Sequence, residues 1–109
     1  MNVEIETQGN ATVVRMDGRL DAAAVTAVKA DLHAIEINKG TLVVFNLAKV
    51  DFIDSTGLGL VVSTFRRARE NEGDLAVCCL TPQVRSLFEL TRMHRIFNVF
   101  DTEDMAVQG

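Results

Sequence analysis

The chain has 109 residues, of which 48% are hydrophobic and 24% are charged, and its formal net charge is −4. This length and composition predict a single folded domain over residues 1–109 and argue against disorder. The acidic balance argues against nucleic-acid binding. No apolar stretch approaches the ~20 residues that cross a bilayer, and the N-terminus lacks the regions of a signal peptide. We therefore expect a cytoplasmic protein that does not insert into a membrane.

The only two cysteines, Cys78 and Cys79, are adjacent in a predicted strand. A disulfide framework or a zinc site needs cysteines that are spaced along the chain. We therefore expect both to be reduced residues that pack in the core.

The N-terminal part of the chain predicts a β-hairpin and then a helix. Apolar and polar residues alternate over residues 3–7, residues 9–10 form a turn signal, and residues 11–16 form a second strand. Asp21 is expected to cap a helix whose apolar residues recur at helical spacing. The Asn-Lys-Gly sequence at residues 38–40 is predicted to end that helix.

The rest of the chain alternates strands and helices. An apolar run without clean alternation, residues 41–47, predicts a strand that is covered on both faces. A helix is expected to follow Ser55 and to end near Asn71, and a strand is expected at residues 75–80. A further helix begins at Thr81-Pro82, followed by a strand at residues 96–100 and a short helix that begins within residues 101–104. Three arginines of the second helix are expected on its solvated face: Arg66, Arg67 and Arg69. This order predicts an α/β fold with a small, mostly parallel mixed sheet and amphipathic helices mainly on one face.

The central stretch, Val50 to Leu60, contains Asp54 and Ser55 at the predicted boundary between an extended segment and a helix. A serine nucleophile needs a base within hydrogen-bonding reach. His33 lies in the middle of a helix and His94 in a late loop, so neither is expected beside Ser55. We therefore predict that the protein is not an enzyme.

Cofactor and metal sites are also disfavoured at this stretch. No lysine follows a glycine-rich loop, so there is no P-loop for a nucleotide. Three carboxylates, those of Asp21, Asp51 and Asp54, would suit a hard cation if they converged, but Asp21 and Asp54 are the expected caps of their helices and Asp51 is expected to be a surface residue. We expect neither a metal nor a cofactor.

The start of the second helix has an unusual composition. A hydroxyl at a helix start, here Ser55 or Thr56, is commonly an N-cap. Gly57 and Gly59 each cost up to ~1 kcal/mol relative to alanine in a helix, which predicts that something approaches the backbone closely. Leu58, between them, is either a first core residue or an exposed anchor for a partner.

Three segments together resemble a known family. Residues 54–59, Asp-Ser-Thr-Gly-Leu-Gly, with the preceding residues 46–47 and 50–53, closely resemble the signature of STAS domains and specifically of bacterial anti-sigma factor antagonists. Residues 18–21, Gly-Arg-Leu-Asp, and residues 84–90 resemble an earlier element and the late helix of that family. The resemblance covers essentially the whole chain.

The resemblance implies a partner-switching cycle. The unphosphorylated protein would bind an anti-sigma factor, a serine kinase of the histidine-kinase-like ATPase type, and so free a sigma factor. The kinase would phosphorylate Ser55, and a PP2C-type phosphatase would reverse the modification. The residues expected to contact the partner are Asp21, Asp54, Thr56, Gly57, Leu58 and Gly59.

An alternative within the same family remains open at this stage. STAS modules can serve as scaffolds, as regulators of secretion or signalling, or as accessory subunits in lipid transport, without a sigma factor target. The intact Asp54-Ser55-Thr56-Gly57 sequence favours a phosphorylated switch over a lipid-transport subunit. The free protein is expected to be a monomer.

Overall fold

A computed structural model describes residues 1–109 and contains one five-stranded sheet with four α-helices. The elements in chain order are β1 (Asn2–Gln8), β2 (Ala11–Asp17), α1 (Ala22–His33), β3 (Leu42–Lys49), α2 (Ser55–Glu70), β4 (Asp74–Cys78), α3 (Pro82–Leu90), a 3-10 turn (Met93–Arg95), β5 (Asn98–Phe100) and α4 (Glu103–Gln108). None of these helices is both long enough and apolar enough to cross a membrane.

The strands lie in the sheet in the order in which they occur in the chain. β1 pairs with β2 in antiparallel register, and Gly9, with φ +63°, provides the turn between them. Strands β2, β3, β4 and β5 are parallel to one another. The predicted hairpin and the mostly parallel mixed sheet are both confirmed.

Helices α1, α2 and α3 cover one face of the sheet and α4 covers the other. The larger hydrophobic cluster joins residues of the first three helices to one set of strand residues, which includes Phe45. The smaller cluster joins Ala106 of α4 to Val44 and its neighbours on the opposite face. The central strand is therefore buried on both faces, as its continuous apolar run predicts. Helices lie mainly on one face as expected, and α4 is the exception.

An ionic cluster attaches the start of α4 to the sheet. The guanidinium of Arg15 in β2 donates two hydrogen bonds of 2.8 Å to the carboxylate of Glu103, and Asn46 of β3 donates a third at 3.0 Å. Glu4 and Glu6 of β1 each lie 2.7 Å from the same guanidinium. The hydrogen bonds from Arg15, the largest effect, hold the pKa of Glu103 below its ordinary value of 4.5.

Helix α1 is shorter than the sequence predicts. It ends at His33, not at the predicted residues 38–40, and the chain continues without regular structure to β3. Ile35 is buried although it lies beyond the helix, which explains why it appeared to extend the helical stripe. Arg67 of α2 donates hydrogen bonds to the carbonyls of Leu32 and Ile35, so it satisfies acceptors at this helix end. The prediction that Arg67 lies on a solvated face is therefore wrong.

The last two strands are also shorter than predicted. β4 ends at Cys78 because Cys79 has φ +62°, which breaks the extended conformation. Both cysteines are free, and both pack with the smaller cluster, Cys78 fully buried and Cys79 partly. Burial raises the pKa of the Cys78 thiol, as expected for a core residue. β5 begins only at Asn98, after the 3-10 turn.

Candidate functional site at the N-terminal ends of α1 and α2

The loops that follow β2 and β3 run side by side beyond the ends of their strands. The amide of Leu20 donates to the carbonyl of Phe52 at 2.9 Å, and the amide of Asp54 donates back to the carbonyl of Leu20 at 3.2 Å. Leu20 and Ile53 form an isolated parallel bridge. The pairing of the sheet thus continues into the loops and places the N-terminal ends of α1 and α2 next to each other.

Two aspartates occupy the two helix starts, as the sequence predicts. Asp21 Oδ1 accepts the amide of Ala24 at 3.0 Å and so caps α1. Asp54 Oδ1 accepts the amide of Gly57 at 2.8 Å and so caps α2, while its Oδ2 accepts the amide of Ala22 at 3.2 Å. The carboxylate of Asp54 therefore satisfies donors of both helices, at a place where both helices have the positive ends of their dipoles.

Ser55 is the first residue of α2, and its side chain is exposed. Because Asp54 is the N-cap, the prediction that a hydroxyl of Ser55 or Thr56 caps the helix is wrong. Thr56 is exposed as well, and the amides of both residues have no acceptor within the protein. The Ser55 hydroxyl is thus presented to solvent beside two unused backbone donors.

The two glycines of α2 differ in what surrounds them. A Cβ at Gly57 would lie 2.1 Å from the carbonyl oxygen of Leu20, and Gly57 is buried. A Cβ at Gly59 would have no neighbour within 4 Å, and Gly59 is exposed. The expected close backbone approach is confirmed at Gly57, but the group that approaches it belongs to the loop after β2.

Leu58 and Phe52 supply apolar surface near Ser55. Leu58 is half-buried and packs against the larger cluster, so it is both a core residue and a surface residue. Phe52 is 37% exposed, and the guanidinium of Arg19 lies 3.9 Å above its ring centroid. Arg19 also lies 3.7 Å from the carboxylate of Asp21. Neither Phe52 nor Arg19 is among the contact residues predicted from the sequence; the available signal is a large aromatic residue in a loop just before a helix.

The other candidates are the aspartates and histidines that the sequence offers as metal ligands or catalytic bases. No three His, Cys, Asp or Glu side chains are grouped so that they could hold a metal ion. Asp51 is exposed, whereas Asp21 and Asp54 are engaged as caps. His94 lies in the 3-10 turn with Nδ1 3.2 Å from the carbonyl oxygen of Phe88, and His33 is an exposed residue at the end of α1.

Comparisons with known proteins agree with this architecture. The family model described as "STAS domain" matches residues 2–106. An anti-sigma F factor antagonist of Paenibacillus polymyxa is 27% identical over 104 residues, which cover 94% of this chain and 89% of that protein. An anti-sigma-B factor antagonist of Listeria monocytogenes is 29% identical over 106 residues, which cover 94% and 93% of the two chains. The solved structure of the anti-sigma factor antagonist SpoIIAA in its unphosphorylated form is 25% identical with a TM-score of 0.77, covering 97% and 93%.

Proposed function

The chain belongs to the STAS domain family, and from this premise we propose that it is an anti-sigma factor antagonist switched by phosphorylation of Ser55. The observation that carries the proposal is the exposed Ser55 hydroxyl at the first position of α2. It directly follows Asp54, whose carboxylate accepts one hydrogen bond from each of the two helix starts. The names of the relatives from P. polymyxa and L. monocytogenes support the same function.

The site suits a residue that must accept and lose a phosphate. An exposed hydroxyl at a helix start is open to the active site of a kinase, and a phosphate there meets the positive end of the helix dipole. The unused amides of Ser55 and Thr56 are within the same turn and can donate to phosphate oxygens. Modification therefore leaves the fold intact, which a reversible switch requires.

The unphosphorylated surface binds the partner in this proposal. Thr56, Leu58 and Gly59 present a small hydroxyl, an apolar side chain and an open backbone on the exposed side of α2. Asp21, Asp54 and Gly57 act mainly through the backbone contacts that fix the two helix starts. Phe52, with Arg19 stacked on it, extends the apolar part of the surface.

Phosphorylation opposes docking by charge and by size. A phosphate adds about −1.5 to −2 charges at neutral pH, beside the carboxylates of Asp51, Asp54 and Asp21. A partner surface that fits the bare hydroxyl is then repelled by the added negative charge, and it has no space for the phosphate group. Losing ~3 kcal/mol of binding free energy weakens the affinity more than a hundredfold. The switch needs no refolding.

The partners follow from the same cycle. The anti-sigma factor is a serine kinase that transfers the γ-phosphoryl group of ATP to Ser55, and a PP2C-type phosphatase removes it. The chain itself is a binding module and a substrate and is not the enzyme of either step. Exposure of Ser55 favours this role over a STAS module in lipid transport or a scaffold that lacks a switch.

Phosphosite mapping tests the assignment. The purified chain, its Ser55→Ala variant and its Thr56→Ala variant are incubated with the cognate anti-sigma factor kinase and ATP, and then analysed by intact mass and peptide mapping. Wild type and Thr56→Ala gain one phosphate on Ser55, whereas Ser55→Ala gains none. Incorporation at Thr56 or at any other residue would refute Ser55 as the switch.

A further inference from the structure

An unusually exposed apolar side chain lies at the end of α3. Leu90 is 84% exposed, more than any other large hydrophobic residue of the chain. Ile96, just after the 3-10 turn, is 51% exposed. Neither belongs to the surface around Ser55. We call Leu90, Arg92, Arg95 and Ile96 the Leu90–Ile96 surface.

The polar part of this surface is cationic. Arg92 and Arg95 are both exposed, and neither lies within salt-bridge distance of a carboxylate, in contrast to Arg15, Arg19, Arg69 and Arg85. Residues 90–96 contain no aspartate or glutamate, although the chain as a whole carries −4. Apolar and cationic groups are thus concentrated in one short segment of an acidic protein.

The backbone conformation at Arg92 is one that suits glycine. Arg92 follows the C-cap residue Thr91 and has φ +60°, ψ +20°, the left-handed conformation in which helices are commonly terminated by glycine. A side chain in that conformation costs conformational energy that glycine avoids. Replacing Arg92 by glycine should therefore remove the charge without straining the fold.

The Leu90–Ile96 surface and Ser55 lie at opposite ends of the sheet. Helix α3 starts beside the loop between β3 and α2, where the hydroxyl of Thr81 donates to the carbonyl of Val50 at 2.8 Å. It then runs back toward the beginnings of the strands, and Asn98, two residues after Ile96, lies 3.4 Å from the carboxylate of Asp74 at the start of β4. A molecule bound here leaves the Ser55 end uncovered.

We propose that the Leu90–Ile96 surface docks an acidic amphipathic helix of a partner protein, independently of the state of Ser55. The two apolar side chains pack against the apolar stripe of that helix, and the two guanidinium groups pair with its carboxylates. An anionic membrane is the less suitable occupant because the net charge of −4 opposes approach to it and only two unpaired arginines are present in the segment.

A designed peptide probes this chemistry directly. The probe is a fluorescein-labelled amphipathic helix with leucines on one face and glutamates on the other, and its matched control carries lysines in place of the glutamates. Fluorescence anisotropy should give a dissociation constant below ~1 mM for the glutamate peptide, weakening as salt is added, and no saturation for the lysine peptide. Amide shifts in NMR spectra should map to residues 90–96.

Four variants separate docking from folding and from the state of Ser55. Leu90→Ser and Arg92→Gly should each weaken peptide binding at least fivefold, while Arg92→Gly melts no lower than wild type because glycine suits the left-handed backbone. Met105→Ser, at a residue that is 50% exposed on α4, is the matched control and should bind as wild type does. Ser55→Asp should also leave the dissociation constant unchanged.

Several results would overturn the proposal. No saturable binding of the glutamate peptide, shifts that map to the α4 face or the Ser55 end, or binding by Leu90→Ser and Arg92→Gly that is as tight as that of wild type would each refute it. Co-sedimentation with anionic phospholipid vesicles that is lost in Arg92→Gly, without peptide binding, would replace the protein partner by a membrane.

Discussion

The carbonyl oxygen of Leu20 lies so close to Gly57 that a Cβ there would be only 2.1 Å from it. This contact joins the loop after β2 to the first turn of α2, across 37 positions of sequence. It allows the amide of Asp54 to reach the same carbonyl at 3.2 Å. The helix that carries Ser55 is therefore fixed by backbone contacts before any partner arrives.

Gly57→Ala and Gly59→Ala should change stability in opposite directions. The methyl group at position 57 collides with backbone that cannot move freely, so the free energy of unfolding should fall by ~3 kcal/mol or more. At position 59 the methyl group enters open space, and the better helix propensity of alanine should raise the free energy of unfolding by ~0.5–1 kcal/mol. Urea denaturation followed by circular dichroism measures both, and equal destabilisation of the two variants would contradict the role given to Gly57.

Asp54→Ala should destabilise the fold although the side chain is near the surface. Its two oxygens accept amides from both α1 and α2, and loss of the α2 cap together with the hydrogen bond to Ala22 should cost ~2–3 kcal/mol. Asp51→Ala is the matched control, because Asp51 is exposed and makes no side-chain hydrogen bond, and it should change stability by less than ~0.5 kcal/mol. Thermal denaturation of the two variants compares them, and similar melting temperatures would show that Asp54 does not tie the helices together.

The sequence predicts local features of this site better than its long-range contacts. Period-2 alternation identified the hairpin, and capping chemistry identified Asp21 and Asp54, because both depend on neighbouring residues. The second bond of Asp54, to Ala22, and the contact between Gly57 and Leu20 join positions more than 30 residues apart and leave no local pattern. The end of α1 was misplaced for a related reason: Ile35 stays buried in irregular chain, so its apolar character resembled one more helical turn.

Arg67→Ala should destabilise the protein, whereas its neighbour Arg66→Ala should not. Arg67 donates to the carbonyls of Leu32 and Ile35 at the end of α1, and charged hydrogen bonds of this kind contribute about 2 kcal/mol. Arg66 is exposed on the same helix and makes no side-chain hydrogen bond or ion pair. Chemical denaturation of both variants is the measurement, and an unchanged midpoint for Arg67→Ala would show that the hydrogen bonds of Arg67 do not stabilise the end of α1.

The contribution of Glu103 to stability should disappear in acid. Its pKa is held below 4.5 in the folded protein, chiefly by hydrogen bonds from Arg15. A carboxyl whose folded pKa is depressed stabilises the folded state fully above the ordinary value of 4.5 and loses that contribution as the pH falls through the lower folded value. The difference in unfolding free energy between wild type and Glu103→Gln should therefore be largest near neutral pH and shrink below about pH 4.5. A difference that stays constant across this range would argue against the ionic cluster.

The central claim is tested most directly by calorimetric titration of the cognate anti-sigma factor with the wild-type chain before and after phosphorylation of Ser55. The account predicts tight binding of the unphosphorylated chain and a loss of at least a hundredfold in affinity after phosphorylation, corresponding to ~3 kcal/mol. The circular dichroism spectrum should be the same in both states. Equal affinity of the two forms would contradict the electrostatic switch.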